Sequence, residues 1–171
     1  NRFLRFWYEV CQSNKGWKKY DKAGESRRWF GSAMHVLDWR NRGSVLSQFK
    51  GAGLGSMKYY DKPHFVWSGL STGTPSYRYS EDHVWFDDVS PSVIGSKQSE
   101  ALLSYLNCNI ATTILMTLNP TLHYQIGDVK RIPVPVLSDE HSNRSRKCVN
   151  IAKSDWDSYE ISWDFTSLPL L

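Results

Sequence analysis

The sequence has 171 residues, of which 40% are hydrophobic and 22% charged, and its formal net charge is +4 at pH 7. This length and composition suit one globular domain and are short for two. Three widely spaced cysteines, Cys11, Cys108 and Cys148, fit neither a disulfide framework nor a CxxC metal pair, so they favour a reducing compartment. No apolar run reaches about 18 residues and the charged NRFLRFW start is unlike a signal peptide, so we expect a cytoplasmic protein without a membrane partner.

Charge is unevenly distributed along the chain. Residues 1–80 contain 14 Lys and Arg against 5 Asp and Glu, a formal charge of +9, whereas residues 81–171 contain 7 against 12, or −5. A basic half with interleaved aromatic residues predicts a surface that faces a polyanion; the alternative is basic residues spread over all sides. The acidic half predicts ordinary solvated surface or a face for another protein.

The basic half begins with residues 1–14, NRFLRFWYEVCQSN, where a helical stripe is predicted by Phe3, Leu4, Trp7 and Val10 or Cys11. This start lacks a capping residue, which is typical of a piece excised from a longer protein. Residues 16–43 then alternate basic and aromatic side chains around a strand predicted at 34–37, with loops at Gly24 and Gly31. Arginine offers a planar fork for phosphate or a guanine edge, and lysine offers a point charge for phosphate.

The middle of the chain predicts a short helix over SVLSQFK, a flexible turn over GAGLGS, and three strands at 64–68, 76–80 and 83–87. The glycine cluster Gly51, Gly53 and Gly55 does not follow an apolar strand and no acidic residue lies about 20 positions on, so it is not predicted to hold a nucleotide. The loop GLSTGTP between the first two strands carries hydroxyl donors suited to base edges or phosphates, or is an ordinary solvated hairpin.

Residues 99–137 carry the strongest helical pattern, and one buried face is predicted for Leu102, Leu103, Leu106, Ile110 and Ile114. Ser96 or Ser99 is the expected cap, and Asn119-Pro120 the expected end. An extended return strand or loop follows, confined by Pro133 and Pro135. The remainder predicts a polar linker over LSDEHSNRSRK, a turn capped by Ser154, and an extended tail from Trp163 to Leu171.

The residues give little support for catalysis. The five histidines show no ligand spacing, no GxSxG elbow is present, and no NPPY-type tetrapeptide is available to hold a flipped adenine. Asp128-Val129-Lys130 matches the D-x-K half of a nuclease metal motif, although the nearest upstream carboxylate is Glu100. No catalytic, cofactor or metal residue is therefore predicted.

Four stretches together resemble one family. GSKQSEALLSYLNCNIATTILMTLNPTLHYQIGDVKRIPVP is similar to the "LLGLLNS … LNPT … QxGD-I … xPIP" pattern in the C-terminal target recognition region of adenine-specific DNA methyltransferases of the BREX phage-defence type and of fused restriction-methylase polypeptides. KAGESRRWFG resembles the family's KGGxxRxWYG block, FVWS its hydrophobic-TWS strand, and DWDSYEISWDF its DWDSxExSWDF block. The resemblance covers most of the chain in the family's order; Ala23, Ser32 and Val66 depart from it.

The resemblance implies an α+β fold, a twisted mixed β-sheet with a long packed helix. It implies that residues 1–14 lead in from an absent upstream catalytic domain and that residues 15–171 form a single target recognition domain for double-stranded DNA. The upstream domain would bind S-adenosylmethionine and methylate adenine N6, so this chain by itself would not be an enzyme. Further expected partners are that domain and other phage-defence subunits.

The candidate DNA-binding residues combine the basic half with the hydroxyl loop: Lys18, Lys19, Lys22, Arg27, Arg28, Arg40, Arg42, Lys50, Lys58, Ser71, Thr72, Thr74, Ser76 and Arg78. Two other functions stay open. One is a metal-dependent nuclease using Asp128, and the other is an aromatic-platform module for carbohydrate or single strands, suggested by 8 Trp and 9 Tyr.

Overall fold

The protein is seen in a computed structural model, which describes residues 2–10, 16–22, 24, 26–55, 57–87, 89–95 and 98–169. The described residues form an α+β fold, as expected. The strands are β1 (Leu4–Phe6), β2 (Trp17–Asp21), β3 (His35–Asp38), β4 (His64–Trp67), β5 (Tyr77–Ser80), β6 (Val84–Phe86) and β7 (Ser92–Ile94). The helices are α1 (Arg40–Ser47), α2 (Ser99–Leu106), α3 (Asn109–Leu118), α4 (Ile126–Val129) and α5 (Asp139–Asp157).

The strands form two small sheets within the described part of the chain, rather than the single mixed sheet that was expected. The four-stranded sheet has the order β1-β3-β2-β6, in which only the β2–β6 pair is parallel. The three-stranded sheet has the order β5-β4-β7 and is antiparallel. Trp29 extends its β5 edge, because its N–H donates to the Tyr77 carbonyl at 2.9 Å and its carbonyl accepts from the Tyr79 N–H at 2.7 Å.

The larger core lies between the three-stranded sheet and the helices. Side chains alternate across a strand, so Phe65 and Trp67 share one face of that sheet with the opposite residue Tyr77. This face packs against Leu103, Leu106 and Leu115 of α2 and α3. Leu106 is 2% exposed, which confirms its predicted burial.

The single helix predicted over the central segment is broken, since α2 and α3 are bent by 73°. The break has a physical cause in Asn107, whose side-chain amide accepts from the Tyr77 N–H at 3.1 Å and donates to the Tyr77 carbonyl at 2.8 Å. Cys108 then caps α3. The bend turns Ile110 outward, and it is 68% exposed rather than buried. The N-cap of α2 is Gln98 rather than Ser99, and Ser96 lies outside the described residues.

No single helix in the described ranges is long and apolar enough to cross a membrane, although α2 and α3 taken together meet the length and composition requirements.

Three other expectations were wrong. The N-terminal stripe forms β1 and a short 3-10 turn, Trp7–Glu9, because its apolar residues join the sheet edge; Cys11 lies outside the described residues. The expected return strand contains α4, in which the Asp128 carboxylate accepts from the Gln125 N–H at 3.1 Å. The expected linker and the Ser154 turn both belong to α5, which packs on α2. The predicted β3, β4, β5 and β6 are confirmed within one or two residues at each end.

A smaller core lies on one face of the four-stranded sheet. Phe3, Leu37, Leu46 and Trp85 form its buried centre, and α1 with the segment that follows it covers them. We call this side of the sheet the α1 face. The opposite side, which carries Lys19, Val36 and Val84, faces residues 155–164, the end of α5 and the turns after it, which we call the C-terminal segment. This side is called the C-terminal face.

Candidate nucleic-acid interface

Lys18 and Lys19, two neighbouring residues of the predicted site, lie on opposite faces of the four-stranded sheet. Lys18 lies on the α1 face, where its Nζ is 5.3 Å from the centroid of the Trp85 ring and 3.4 Å from the Asp61 carboxylate. Lys19 lies on the C-terminal face, because successive side chains of a strand point to opposite sides. The two lysines therefore do not contribute to one continuous surface.

Acidic residues near the C-terminus partly neutralise the C-terminal face. Asp164 is 3.0 Å from Lys19 Nζ, and Asp155 is 2.6 Å from Arg27 Nη2. Both cations also lie over indole rings, Lys19 over Trp163 at 5.6 Å and Arg27 over Trp156 at 5.0 Å. The acidic half of the sequence thus folds back on part of the basic half, and these two predicted DNA contacts are engaged within the protein.

The α1 face keeps part of its positive charge, although Asp61 pairs with Lys18 and Asp38 with Arg40. Residues 39–60, which cover it, contain Arg40, Arg42, Lys50 and Lys58 and no Asp or Glu. No carboxylate of the described residues lies within salt-bridge distance of Arg42, Lys50 or Lys58. Cations that are not neutralised by neighbours attract a polyanion most strongly. This face therefore has the electrostatics expected of a nucleic-acid interface.

Two clefts open on the α1 face and share the residues Phe3 and Leu46. One has a volume of about 540 Å³ and is lined by Arg2, Arg40 and Asn41 among others. The other has a volume of about 430 Å³ and is lined by Lys22, Phe49 and the glycine-rich segment 51–54, with one carboxylate, that of Asp87. They lie towards opposite ends of β2, since Gly16 precedes the strand and lines the first cleft whereas Lys22 follows it.

Arg40 is held in place at the first cleft. Its guanidinium donates two hydrogen bonds to the Asp38 carboxylate, at 2.9 and 2.6 Å, and it lies over the Trp17 ring at 5.6 Å. The hydrogen bonds from Arg40 lower the pKa of Asp38 and raise that of Arg40 itself. The Asp38 carboxylate neutralises much of the charge of Arg40. Arg40 therefore lines the cleft but adds little net positive charge to it.

The second predicted group, the hydroxyl loop, contacts the 24–28 block. Ser26 Oγ donates to the Thr74 carbonyl at 2.9 Å and lies 3.1 Å from Ser76 Oγ, and Ser68 Oγ donates to the Gly24 carbonyl at 3.0 Å. Thr72 and Thr74 are exposed, Ser71 is half-buried, and Arg28 of the adjoining block is half-buried. The structure thus brings two sequence-predicted groups together beside Lys22, which leads from β2 into the block.

Arg78 and Ser76 occupy positions different from those expected of DNA contacts. Arg78 is 0% exposed, and its guanidinium donates to the Asp21 carboxylate through Nε at 3.1 Å and Nη2 at 2.7 Å. This pair joins the two sheets. Ser76 is buried as well. Arg78 was predicted as a DNA contact, but its side chain is enclosed between β5 and β2, where it joins the sheets.

The residues of the alternative functions also have structural roles. The Asp128 carboxylate accepts from Asn119 Nδ2 at 2.7 Å in addition to capping α4, and the described residues contain no cluster of three or more His, Cys, Asp or Glu that could hold a metal ion. Several large aromatic side chains are packed inside, as Trp67, Trp85 and Trp156 illustrate, and these rings are not available to an aromatic platform.

Sequence reasoning missed three residues of the α1 face: Arg2, Asn41 and Phe49, of which Phe49 is 47% exposed. The signal that could have found Asn41 and Phe49 is the acid-free run of 22 residues from 39 to 60, which does not include Arg2. The net charge of half the chain is too coarse a measure to separate this run from the paired cations at Lys19 and Arg27.

No protein-family model matches the chain. It is 30% identical over 195 aligned residues to the adenine-specific methyltransferase PglX of Lacticaseibacillus casei (strain Zhang), in an alignment that covers 99% of this chain and 16% of that protein. It is 29% identical over 181 residues to the adenine-specific methyltransferase BrxX of Escherichia coli O9:H4 (strain HS), covering 99% of this chain and 15% of that protein. The chain thus spans less than a fifth of the length of these relatives, and it matches one region of adenine-specific methyltransferases almost from end to end.

Proposed function

We propose that this chain recognises double-stranded DNA for an adenine-specific DNA methyltransferase, and that it does so with the α1 face. The observation that carries the proposal is the acid-free covering segment 39–60, which contributes lining residues to both clefts on one side of the four-stranded sheet and carries Arg42, Lys50 and Lys58, cations that pair with no carboxylate in the described ranges. The match to one region of two adenine-specific methyltransferases supports the choice of DNA as the polyanion.

The size of this face suits a duplex. The five residues of β2 extend roughly 16 Å at about 3.3 Å per residue, with Arg2 and Arg40 beyond one end and Lys22 beyond the other. A B-DNA major groove is about 12 Å wide between phosphate backbones, so the two cationic ends can each reach a backbone. Phosphate contacts of this kind fix register, while residues between them are free to meet base edges.

In this proposal the chain binds the target and does not perform the methyl transfer. The glycine-rich segment 51–55 follows a helix instead of a strand, so its context does not suit a nucleotide loop. The proposal therefore assigns cofactor binding and adenine N6 methylation to another region of the same polypeptide. The proposal also places the chain in a phage-defence or restriction-modification system, where it would act together with the other subunits of that system.

The test is a salt titration of duplex binding by the charge-reversed variant Lys22→Glu/Lys50→Glu/Lys58→Glu, at three exposed lysines on or beside the α1 face. Each lost phosphate contact removes about 0.9 from the slope of log affinity against log salt concentration. We expect the slope to fall by roughly 2 to 3 and binding to all duplexes to weaken together.

The matched control is Lys130→Glu/Arg131→Glu/Lys147→Glu, which changes the net charge equally at exposed positions near α4 and in α5. It should retain most of the affinity. Equal losses in both variants would show that net charge alone governs binding, and a wild-type protein whose binding barely changes with salt would favour sugar or single-strand stacking instead.

A further inference from the structure

A tight turn on the α1 face presents two side chains from a rigid support. Asn41, Arg42 and Gly43 have φ angles of 50°, 56° and 71°, a left-handed turn inside α1. The Gly43 N–H donates to the Trp39 carbonyl at 3.2 Å, and the Trp39 N–H donates to the Gly16 carbonyl at 2.7 Å. A Cβ added at Gly43 would lie 2.4 Å from the Trp39 ring, so only glycine fits there. The turn is fixed against a tryptophan that itself packs on Trp85, with ring centroids 4.6 Å apart.

Of the two residues at the tip, Arg42 is the unusual choice for this backbone, while Asn41 is one of the few non-glycine residues that adopt it readily. Glycine is the residue that adopts left-handed geometry without steric strain; asparagine tolerates it and arginine is disfavoured. Strain that the surrounding structure maintains concentrates at functional sites. Glycine would fit both positions of the turn with less strain than the residues present. A function therefore explains the side chains of Asn41 and Arg42 better than the stability of the turn does.

Both tip side chains are available to a partner. They are exposed, and neither forms a hydrogen bond or ion pair with any residue in the described ranges. Asn41 lines the 540 Å³ cleft beside Arg2 and Arg40. Arg40 is tied to Asp38 and does not compete for a base, whereas Arg42 keeps its five donors free.

We propose that Asn41 and Arg42 are the base-reading residues of the α1 face. Asparagine pairs with the N6 and N7 atoms of adenine and arginine with the O6 and N7 atoms of guanine, both in the major groove. Arg2, Lys22 and Lys50 then hold the flanking phosphates, and the fixed turn keeps the two readers in register. The inference rests on the proposed function and adds the specificity-determining residues and the base edges that they contact.

The test uses Asn41→Gly and Arg42→Gly in the polypeptide that carries this chain. Glycine accepts the left-handed geometry, so each variant removes the side chain while relieving strain, and thermal stability should not fall by the amount that a broken turn would cause. Duplexes are selected from a random library by binding, and affinities for the selected site and for random duplexes are compared. We expect each variant to lose about tenfold or more on the selected site and little on random DNA, with relaxed choice at one base pair.

Lys50→Ala is the matched control, since a phosphate contact should weaken every duplex alike and lower the salt slope by about 1. The inference is overturned if either glycine variant folds and retains the wild-type selected sequence. It is also overturned if Arg42→Gly behaves like Lys50→Ala. Both outcomes would leave the proposed function in place, whereas the absence of duplex binding in the wild type would overturn the proposed function itself.

Discussion

At the scale of single residues, the Asp21–Arg78 pair is an ion pair whose two side chains are both buried. Asp21 follows Tyr20 at the end of β2 and is 2% exposed, and Arg78 is fully buried in β5, so the pair connects two sheets that share no backbone ladder. A buried pair adds little compared with apolar packing, but breaking it leaves a buried charge without a partner. Its role is therefore to fix how the sheets meet.

The first prediction follows from this geometry. Arg78→Ala should lower the free energy of unfolding by about 3 to 5 kcal/mol, because the Asp21 carboxylate loses both of its hydrogen bonds to the guanidinium. The measurement is urea-induced unfolding. Arg28→Ala, at a half-buried arginine, is the control and should change stability by less than about 1 kcal/mol. The double variant Asp21→Leu/Arg78→Met should recover part of the loss; a double variant as unstable as Arg78→Ala would argue against an isolated charge as the cause.

His64 gives a second prediction at this scale. Burial lowers its pKa below the usual 6.5, outweighing the Lys62 carbonyl, which lies 2.7 Å from Nδ1 and favours the charged form. The unfolded chain therefore binds a proton more readily than the folded protein, so the stability from this group is present above pH 6.5 and decreases as the pH falls below it. The free energy of unfolding should decline between pH 7 and pH 5 in the wild type and decline less in His64→Phe. His123→Gln, at an exposed histidine, should keep the wild-type decline.

At the scale of elements, the α2–α3 pair shows how one side chain ends a helix. The apolar pattern continues from 99 to 118, but the amide of Asn107 pairs with the backbone of Tyr77 and draws the chain towards β5. The two helices then bury different faces. Leu106 remains in the core, whereas Ile110, four residues later, faces outward.

The third prediction compares those two residues. Leu106→Ala should lower the free energy of unfolding by about 2 to 5 kcal/mol through lost transfer energy and a residual cavity. Ile110→Ala removes a similar side chain from a 68% exposed position and should change stability by less than about 0.5 kcal/mol. Chemical denaturation of both variants checks the pair. Equal losses would mean that the helix continues unbroken through residue 107.

At the scale of the whole molecule, charge separates the two sides of the four-stranded sheet. The C-terminal segment supplies Asp155 and Asp164 to cations on one side, and no acidic residue interrupts the covering segment on the other. The modest net charge of +4 therefore conceals a polarised protein. Long-range attraction of a polyanion depends on such local fields more than on the sum.

The fourth prediction concerns what holds the C-terminal segment in place. The ion pairs of Asp155 and Asp164 are about half exposed, so Asp155→Asn and Asp164→Asn should each cost less than about 1 kcal/mol. Trp156 is 8% exposed, and Trp156→Ala should cost about 3 to 5 kcal/mol because a large buried ring is lost. Thermal unfolding of the three variants tests whether Trp156→Ala loses more stability than either aspartate variant. An aspartate variant as unstable as Trp156→Ala would show that charge, and not burial, holds the segment.

The sequence by itself determined the strands β3 to β6 and the burial of Leu106, because period-2 and helical patterns report which local structure can bury an apolar face. The α+β class was implied by the family resemblance of its motifs. The break at Asn107 could not be predicted, since its cause is a hydrogen-bond partner 30 residues away. The helical state of 139–157 was missed because a polar segment shows little periodicity until its partner, α2, is known.

Tertiary structure also decided which basic residues remain available to a polyanion. The sequence marked Lys19, Arg27, Arg42, Lys50 and Arg78 as equivalent candidates, since charge and spacing are alike for all of them. Only the packing of Asp164, Asp155 and Asp21 against three of these cations distinguishes them. The composition of a chain sets how much positive charge it carries, and the fold decides which of those charges its own carboxylates neutralise.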